Sequence, residues 1–421
     1  MTAKLYAHVD DEGKISLPQN LIETWGLSAE AKLSISTDGS RIQLRPPVTS
    51  LRRVYIEITN QCNLNCSTCM RNVWEVEYGR MDMADFEGIL AELHGRSSKP
   101  EIFIGGYGEP LSHPDCLKMI LKAKSMGFRV LLITNGILLT EEVSRAFIEI
   151  GLDMLWVSLD GASPECYADI RLGNALPQIL ENLNRLRSLQ FHYYGFFPWT
   201  MLPKLGIAFV AMKRNIQDLP KIIRLGTKLG AVEYSISNVL AHNQQLKDEN
   251  LYRLSLDFMN SPDANQWRPL VHFPKVDLDN VTEKLIVELL KNGNRLDLMG
   301  SELRMNGDQC PFVERGSLSI RWDGKVSPCL PLMYSHKYFL GERERTVREY
   351  FVGNIHDQDL VGIWNNPSYQ AMRERLQDFD YSPCTTCNSC EMADTNEEDC
   401  FGNTHPTCGG CLWAQGFIRC P

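Results

Sequence analysis

The sequence predicts an α/β protein in which six β-strand and α-helix pairs form an open, partial barrel. Between residues 51 and 240, short apolar runs alternate with amphipathic helical stretches, as in parallel sheets with crossover helices. Six pairs are too few to close an eight-stranded barrel. A small β region precedes this part and a cysteine-rich region follows it, so the 421 residues are expected to form several domains.

Residues 1–48 are predicted to form a small β domain of two hairpins and one helix. Two hairpins this short cannot bury a core alone, so we expect the domain to pair with a second copy. It carries five Lys or Arg against six Asp or Glu, which disfavours DNA binding as its role. Strands are predicted over 5–9, 14–18, 32–36 and 41–45, with the helix over about 20–25.

The partial barrel is predicted over residues 49–240. Gly127 and Gly151 stand where helix ends are expected, because glycine readily adopts the left-handed conformation found there. The predicted strands cover 54–58, 101–104, 129–133, 154–159, 205–210 and 233–237. The predicted helices cover 83–94, 114–126, 141–150, 175–189 and 216–229, with a sixth from about 244.

Composition narrows the classes of function. The net charge of −9 argues against a dedicated nucleic-acid binder, although a local basic patch would still accept an anionic partner. No apolar run reaches the length of about 20 residues that spans a bilayer, and the first residues lack a signal-peptide core, so a cytoplasmic location is expected. In that reducing compartment the fourteen cysteines are not expected to form disulfides and are instead expected to be metal ligands or buried side chains. Cys116 and Cys166 are isolated in the sequence, so we expect these two to be buried side chains.

Three thiols fall within eight residues just after the first predicted barrel strand, at Cys62, Cys66 and Cys69. Structural zinc sites and all-cysteine iron-sulfur clusters both use four protein ligands. A loop with three thiols therefore leaves one coordination position for a substrate or cofactor. Taken alone, the loop also fits one half of a zinc ribbon.

Further motifs follow the next three predicted strands. They are 105–110 (GGYGEP), 134–136 (TNG) and 158–161 (SLDG), with Arg171 beyond them. Because the carboxyl ends of parallel strands meet at one face, these motifs and the cysteine loop are expected to form one site. Glycines allow close backbone approach to a ligand, hydroxyl and carboxylate groups bind sugar hydroxyls, and arginine binds carboxylates. Each motif also has a purely structural alternative. Residues 105–110 could form an ordinary strand-to-helix turn, residues 158–161 could form a cap and turn, and Arg171 could lie on a solvated face.

Cysteine returns in the last third of the chain. Residues 241–306 are predicted to connect the barrel to this region, with an amphipathic helix over 281–291. Residues 321–329 predict a hairpin with its turn at Gly324, and Cys329 follows that glycine by five residues. Nine cysteines occur in the predicted domain over 307–421: Cys310, Cys329, Cys384, Cys387, Cys390, Cys400, Cys408, Cys411 and Cys420.

The order and spacing of the first four motifs resemble the radical S-adenosylmethionine (radical SAM) family. The resemblance implies that the three-cysteine loop binds a 4Fe-4S cluster whose free iron chelates SAM. Reduction of that cluster would cleave SAM to a 5'-deoxyadenosyl radical. It further implies that SAM is positioned by Gly105, Gly106, Glu109, Asn135, Ser158, Asp160 and Arg171.

The later cysteines resemble the SPASM extension of radical SAM enzymes, which implies two auxiliary 4Fe-4S clusters. Nine thiols exceed the eight that two clusters need, so one is expected to be spare. Cys384, Cys387 and Cys390 are each separated by two residues, which departs from the usual spacing and leaves the assignment of ligands to clusters open. Zinc in place of one cluster also stays open.

Residues 400–421 resemble maturases associated with tungsten-containing oxidoreductases, and residues 1–48 resemble an AbrB-type swapped-hairpin domain. The resemblance implies a tungsten pterin cofactor or its oxidoreductase as substrate, a ferredoxin or flavodoxin as electron donor, and a homodimer. Two alternatives are modification of a ribosomal peptide or sulfatase-type residue, and an iron-sulfur sensing DNA-binding regulator. No motif identifies the catalytic residue that reacts with substrate.

Overall fold

Nine of the eighteen strands in the described parts of the chain form one sheet. The computed structural model describes residues 6–25, 27, 33–37, 42–96, 98–163, 167, 170, 175–195, 200–252, 270–273, 282–291, 295–298, 301–303, 309–385 and 390–421. Among the helices of these residues, none is long and apolar enough to cross a membrane.

The first region contains two antiparallel hairpins and one helix, as predicted. The strands of each hairpin pair with one another, and apolar Val9, Ile35 and Ile42 remain exposed within the single chain. The bounds are β1 His8–Val9, β2 Ile15–Ser16, α1 Gln19–Trp25, β3 Ser34–Thr37 and β4 Ile42–Arg45.

The six predicted barrel strands are all present and all parallel. They run side by side in chain order, as expected when a helix crosses over between consecutive strands. The strands are β5 Arg53–Ile56, β6 Glu101–Ile104, β7 Val130–Thr134, β8 Met154–Ser158, β9 Lys204–Ala211 and β10 Ala231–Asn238. The helices are α2 Met83–His94, α3 Cys116–Ser125, α4 Glu141–Ile150, α5 Leu176–Tyr194, α6 Leu219–Leu229 and α7 Gln244–Glu249.

Local sequence accounts for these helices. The α4 helix begins where the Thr140 side chain accepts a hydrogen bond from the Val143 amide, and it ends at Gly151, whose φ is +73°. The α2 helix buries four apolar side chains at helical spacing against the sheet. They are Phe86, Ile89, Leu90 and Leu93.

The remaining elements belong to the last part of the chain. The strands are β11 Leu270–Phe273, β12 Arg295–Leu298, β13 Ser301–Leu303, β14 Ser317–Ile320, β15 Lys325–Ser327, β16 His336–Leu340, β17 Arg343–Val347 and β18 Gly353–Asn354. The helices are α8 Thr282–Lys291, α9 Pro311–Glu314, α10 Leu360–Trp364 and α11 Pro367–Asp378.

The predicted hairpin around Gly324 is present as β14 and β15, and it also extends the barrel sheet. The β14 strand pairs in parallel with β5, placing Leu318 beside Val54 and Ile320 beside Ile56. All four side chains are fully buried. With β15 and β18 added in antiparallel orientation, the six-stranded sheet becomes nine-stranded. This continuation covers the β5 edge, whose backbone groups would otherwise lack partners.

Candidate active site

A cavity of about 320 Å³ lies at the carboxyl ends of the barrel strands. Its lining includes seven of the residues that sequence reasoning assigned to the SAM-binding cluster or to SAM itself, which come together from the ends of β5, β6, β7 and β8. They are Cys62, Cys66, Cys69, Gly106, Glu109, Asn135 and Ser158. Apolar side chains such as Phe103 and Leu240 form much of the remaining wall, which limits the access of water.

The cysteine loop is held by backbone and side-chain hydrogen bonds. The Cys69 amide donates to the Cys66 carbonyl, and Ser67 donates to the Ile170 carbonyl through both its amide and its hydroxyl. The Arg71 Nε–H donates to Cys69 Sγ at 3.3 Å. This arginine contributes a positive charge beside a thiol that would bind metal as a thiolate.

The Cys62 sulfur is also in contact with a donor. It accepts a hydrogen bond from the Leu64 amide at 3.4 Å. Burial nevertheless raises the pKa of the Cys62 thiol, because removal from water disfavours the thiolate. Metal coordination deprotonates a thiol and reverses this preference.

The glycines of 105–110 pack against the chain that leads into the cysteine loop. A Cβ atom on Gly108 would lie 2.1 Å from the Thr59 carbonyl oxygen, and one on Gly106 would lie 2.6 Å from Glu57 Oε1. Gly105 instead faces β7, where a Cβ atom would lie 2.4 Å from Ile133, and it is not among the residues lining the cavity. Glycine is therefore needed at these three positions because neighbouring protein atoms leave no room for a side chain.

Glu109 organises the neighbouring strand end. Its buried carboxylate accepts hydrogen bonds from the Leu111 amide, the Thr134 hydroxyl and the Asn135 amide. The Asn135 side chain then donates to Asn63 Oδ1 at 2.7 Å, inside the cysteine loop. These contacts connect β6, β7 and the loop, and they hold Asn135 at the cavity wall.

Asp160 binds the backbone of the neighbouring strand β9. It is fully buried, its carboxylate accepts the Val210 amide at 2.8 Å, and its carbonyl accepts the Asn215 side-chain amide. It is not among the residues lining the cavity. These contacts hold the end of β9. The contact of Asp160 with SAM stays a prediction. Arg171 lies outside the described residues.

A second, more enclosed cavity contains four of the later cysteines. Its lining includes Cys310, Cys329, Cys408 and Cys411. Burial raises the pKa of the Cys310 thiol to about 12, and burial together with the other three thiols raises that of Cys329. Four thiols that line one cavity can ionise together only if cations compensate their charge, and the irons of a cluster do this.

The polar atoms around this second cavity also fit an iron-sulfur cluster. Arg345 Nε and Thr407 Oγ1 are buried there, and neither has a hydrogen-bond partner among the described residues. Both can donate to cluster or thiolate sulfur, which would remove the cost of leaving them unsatisfied. Gly410 lets the arginine approach, because a Cβ atom there would lie 2.5 Å from Arg345 Cζ.

The other cysteines are distributed differently. Cys384 is buried, Cys390 is exposed and Cys400 is half-buried, whereas Cys387 lies outside the described residues. Cys420 lines the first cavity rather than the second. Cys116 is buried, as predicted for an isolated cysteine, and Cys166 is not described. Within the described parts of the chain, no three Cys, His, Asp or Glu side chains converge closely enough to hold one metal ion.

Sequence reasoning missed Glu57, which lies between the barrel and the last part of the chain. Its buried carboxylate accepts hydrogen bonds from the Tyr107 amide and the Tyr334 hydroxyl. Burial raises the pKa of Glu57 to about 7. The available signal was a single charged residue within an otherwise apolar run, since such residues are rarely buried without a specific partner.

Sequence reasoning named Cys420 as a cluster ligand but did not predict that residues 419–421 enter the first cavity. Arg419, Cys420 and Pro421 enter the first cavity and line it beside the cysteine loop. No periodic pattern in the sequence marks this insertion.

Comparisons with known proteins agree with this geometry. The radical SAM superfamily profile matches residues 56–206, and the SPASM profile, described as an iron-sulfur cluster-binding domain, matches residues 310–391. A tungsten-containing aldehyde ferredoxin oxidoreductase cofactor-modifying protein of Pyrococcus furiosus is 30% identical, and the match covers 88% of this chain and 97% of that protein.

Two further matches are more distant. A probable GTP 3',8-cyclase of Methanocaldococcus jannaschii is 27% identical over 66% of this chain and 85% of its own. The crystal structure of Streptococcus suis SuiB bound to S-adenosylmethionine is 14% identical, with a TM-score of 0.48 over 82% of this chain and 71% of that one.

The radical SAM match implies a 4Fe-4S cluster and SAM as cofactors, and the SPASM match implies auxiliary iron-sulfur clusters. The three-thiol loop and the four-thiol cavity contain enough thiols for one site of each kind. The chain therefore belongs to the radical SAM superfamily of enzymes and carries a SPASM iron-sulfur cluster-binding domain.

Proposed function

We propose that this enzyme is a maturase that modifies the cofactor, or the polypeptide, of a tungsten-containing aldehyde ferredoxin oxidoreductase. The observation that carries the proposal is its similarity to the Pyrococcus furiosus cofactor-modifying protein along 97% of that protein's length. A peptide maturase and a DNA-binding iron-sulfur regulator are the competing functions, and the net charge of −9 disfavours the regulator.

In this proposal Cys62, Cys66 and Cys69 hold the cluster that, when bound with SAM, supplies a 5'-deoxyadenosyl radical. Glu109 orients Asn135 through its hydrogen bond to the Asn135 amide, and Ser158 presents a hydroxyl to the same cavity. The apolar wall excludes water from the reacting groups. Gly105, Gly106, Asp160 and Arg171 remain proposed cofactor residues.

We assign one auxiliary cluster to the four cysteines of the second cavity. Arg345 lies beside them and offsets negative charge on their sulfurs. The second auxiliary cluster would then use Cys384, Cys387, Cys390 and Cys400, and Cys420 would be the spare thiol. Cavity lining supports the first set and the separate position of Cys420.

The proposal includes a cytoplasmic location, an electron donor such as ferredoxin or flavodoxin, and a homodimer through an AbrB-like first domain. The dimer is supported by the exposed Val9, Ile35 and Ile42 side chains, which a second copy would cover.

Incubation of the reduced enzyme with SAM and each candidate substrate tests the proposal. The rate of 5'-deoxyadenosine release should increase with the tungsten oxidoreductase or its pterin, and one of the two should change mass. A mixture containing an unrelated oxidoreductase is the control. Acceleration by a short peptide alone would instead support the peptide maturase.

A further inference from the structure

Two arginines that line the four-thiol cavity are almost completely removed from water. Arg345 on β17 is 2% exposed, and Arg373 on α11 is 1% exposed. Strand alternation turns Arg345 inward on the same face as Val347. Helical spacing places Arg373 on the buried face of α11 with Tyr369 and Leu376. Two separate elements therefore each bring one cation to the same cavity.

Neither arginine is paired with a carboxylate. In the part of the chain that the structure describes, no Asp or Glu oxygen lies within 4.0 Å of either guanidinium. Arg321, which is also buried, instead contacts Asp323 at 2.7 Å and Glu349 at 3.3 Å. Removal of a cation from water is costly unless an anion compensates its charge, so the pairing of Arg321 is the usual arrangement.

The hydrogen bonds of the two arginines go to neutral groups. Arg345 Nη1 donates to the Ala393 carbonyl. Arg373 donates to the carbonyls of Val48 and Trp364, each at 2.8 Å, and its Cζ lies 3.8 Å from the centroid of the Trp364 ring. Carbonyl dipoles and ring faces attract a cation without neutralising it. Burial accordingly lowers the pKa of Arg373.

Each guanidinium also keeps one nitrogen without a partner. Arg345 Nε and Arg373 Nη1 are buried, and neither has a hydrogen-bond acceptor among the described residues. An unsatisfied buried donor costs free energy, and a charged donor costs more than a neutral one. An anion inside the cavity would accept from both nitrogens and compensate both charges.

Arg345 lies beside the turn that carries two of the four thiols. The Cys411 amide donates to the Cys408 carbonyl at 3.0 Å, and Gly410 within this turn leaves room for the guanidinium. Burial raises the pKa of the Cys408 thiol, and the charge of Arg345 opposes that rise. The arginine is thus close enough to stabilise negative charge on this sulfur.

We infer that Arg345 and Arg373 are the counter-ions of the auxiliary cluster in the four-thiol cavity and that both raise its reduction potential. A four-iron cluster bound by four thiolates is a net anion, and one-electron reduction adds a further negative charge. Two cations in a site with little water stabilise that added charge. The inference rests on the proposed assignment of a cluster to these cysteines, and it is independent of the substrate.

A potentiometric titration of the anaerobically reconstituted full-length enzyme, followed by electron paramagnetic resonance, tests the inference. The signal of this cluster is the one that disappears when Cys329 and Cys408 are both changed to Ser. Arg345→Gln and Arg373→Gln should each make its reduction at least tenfold less favourable, which is a fall of about 59 mV for one electron. Arg345→Lys should retain part of the potential because the charge is kept.

Arg348→Gln is the matched control. Arg348 directly follows β17, but its side chain is 63% exposed and its Nε lies 2.6 Å from Glu397 Oε1, so its replacement should leave the potential unchanged. Iron analysis and circular dichroism establish that each variant is loaded and folded. If Arg373→Gln does not fold, the two Arg345 variants decide.

Three results would overturn the inference. They are an unchanged potential in a Gln variant that keeps its iron, an equal fall in Arg345→Gln and Arg345→Lys, and loss of the cluster from both Arg345 variants, which would indicate a packing role. Loss of about four iron from Arg345→Gln alone supports the inference, because the cluster then needs the positive charge to bind.

The underlying assignments are tested separately. If the variant with Cys329→Ser and Cys408→Ser keeps its iron, the four-thiol cavity does not hold a cluster and the inference fails with that assignment. If the potentials fall as described but the tungsten oxidoreductase and its pterin leave SAM cleavage unchanged, the counter-ions stand and the proposed substrate is wrong.

Discussion

The side-chain amide of Asn135 donates a hydrogen bond to Asn63 Oδ1 at 2.7 Å, so the end of β7 is joined directly to the cysteine loop. Because Glu109 accepts the Asn135 amide, the position of the loop depends on two neighbouring strands.

Asn135→Ala should therefore weaken SAM binding about tenfold, because loss of one hydrogen bond and one oriented group costs about 1.4 kcal/mol. Calorimetric titration of the reconstituted enzyme with SAM measures the change. Asn184→Ala, on the exposed face of α5, is the control and should bind SAM as the wild type does. Equal affinity in the two variants would contradict the role of Asn135.

Replacement of Cys62, Cys66 and Cys69 by Ala should remove about a third of the iron and all SAM cleavage, since three four-iron clusters predict about twelve iron per chain. Iron analysis after anaerobic reconstitution and assay of 5'-deoxyadenosine measure both effects. A triple variant that still releases 5'-deoxyadenosine would show that this loop does not bind the SAM-cleaving cluster.

The assignment of an auxiliary cluster to the four-thiol cavity predicts a separate loss of iron. Changing Cys329 and Cys408 to Ser should remove about four iron and leave basal SAM cleavage detectable, because these thiols line the second cavity only. Cys116→Ser is the matched control, because Cys116 is buried in the core away from both cavities. The assignment is wrong if the double variant retains the iron content of this control.

Deletion of residues 1–48 should convert a dimer into a monomer while SAM cleavage continues, because the exposed apolar side chains of β1 to β4 are removed with them. Light scattering at micromolar concentration measures the molar mass. Val9→Lys with Ile35→Lys in the full-length chain should have the same effect. A monomeric wild-type protein would contradict the pairing of these hairpins.

Glu57 predicts a pH dependence of stability. Its folded-state pKa of about 7 lies above the ordinary glutamate value of 4.5, so the folded protein retains a proton that the unfolded chain loses. Stability from this group is therefore present at low pH and declines as the pH rises to about 7. Between pH 6 and 8.5 the loss should be about 1.5 kcal/mol.

Glu57→Gln should remove this decline, because glutamine does not titrate. The free energy of unfolding in urea, compared between the two proteins at pH 6 and pH 8.5, measures the difference. Glu149→Gln, on the surface side of α4, should follow the wild type. If the Glu57→Gln variant declines as steeply as the wild type, the buried carboxylate is not the group that titrates.

Much of the barrel was predictable because its signals are local. The bounds of α4 follow from Thr140 and Gly151, and the gathering of Cys62, Glu109 and Asn135 follows from their positions after parallel strands. The pairing of β14 with β5 was not predictable, since four buried residues carry no signal for a partner far away in the chain.

Side-chain direction was also beyond sequence reasoning. The hydrogen bond from the Val210 amide to the Asp160 carboxylate, for example, could not be read from the 158–161 motif. The insertion of residues 419–421 depends on Arg53, Arg315 and Tyr55, which come from two distant parts of the chain. Such a convergence becomes visible only when the fold brings those parts together.

The parallel pairing of β14 with β5 has a consequence for synthesis of the protein. The two strands are more than 250 residues apart, so the β5 edge stays uncovered until the ribosome has released residue 320. At about 5–20 residues per second this interval lasts on the order of 13–50 s, longer than most elementary folding events. During that time the nascent barrel exposes a strand edge that other chains can pair with, which makes it a natural client for chaperones.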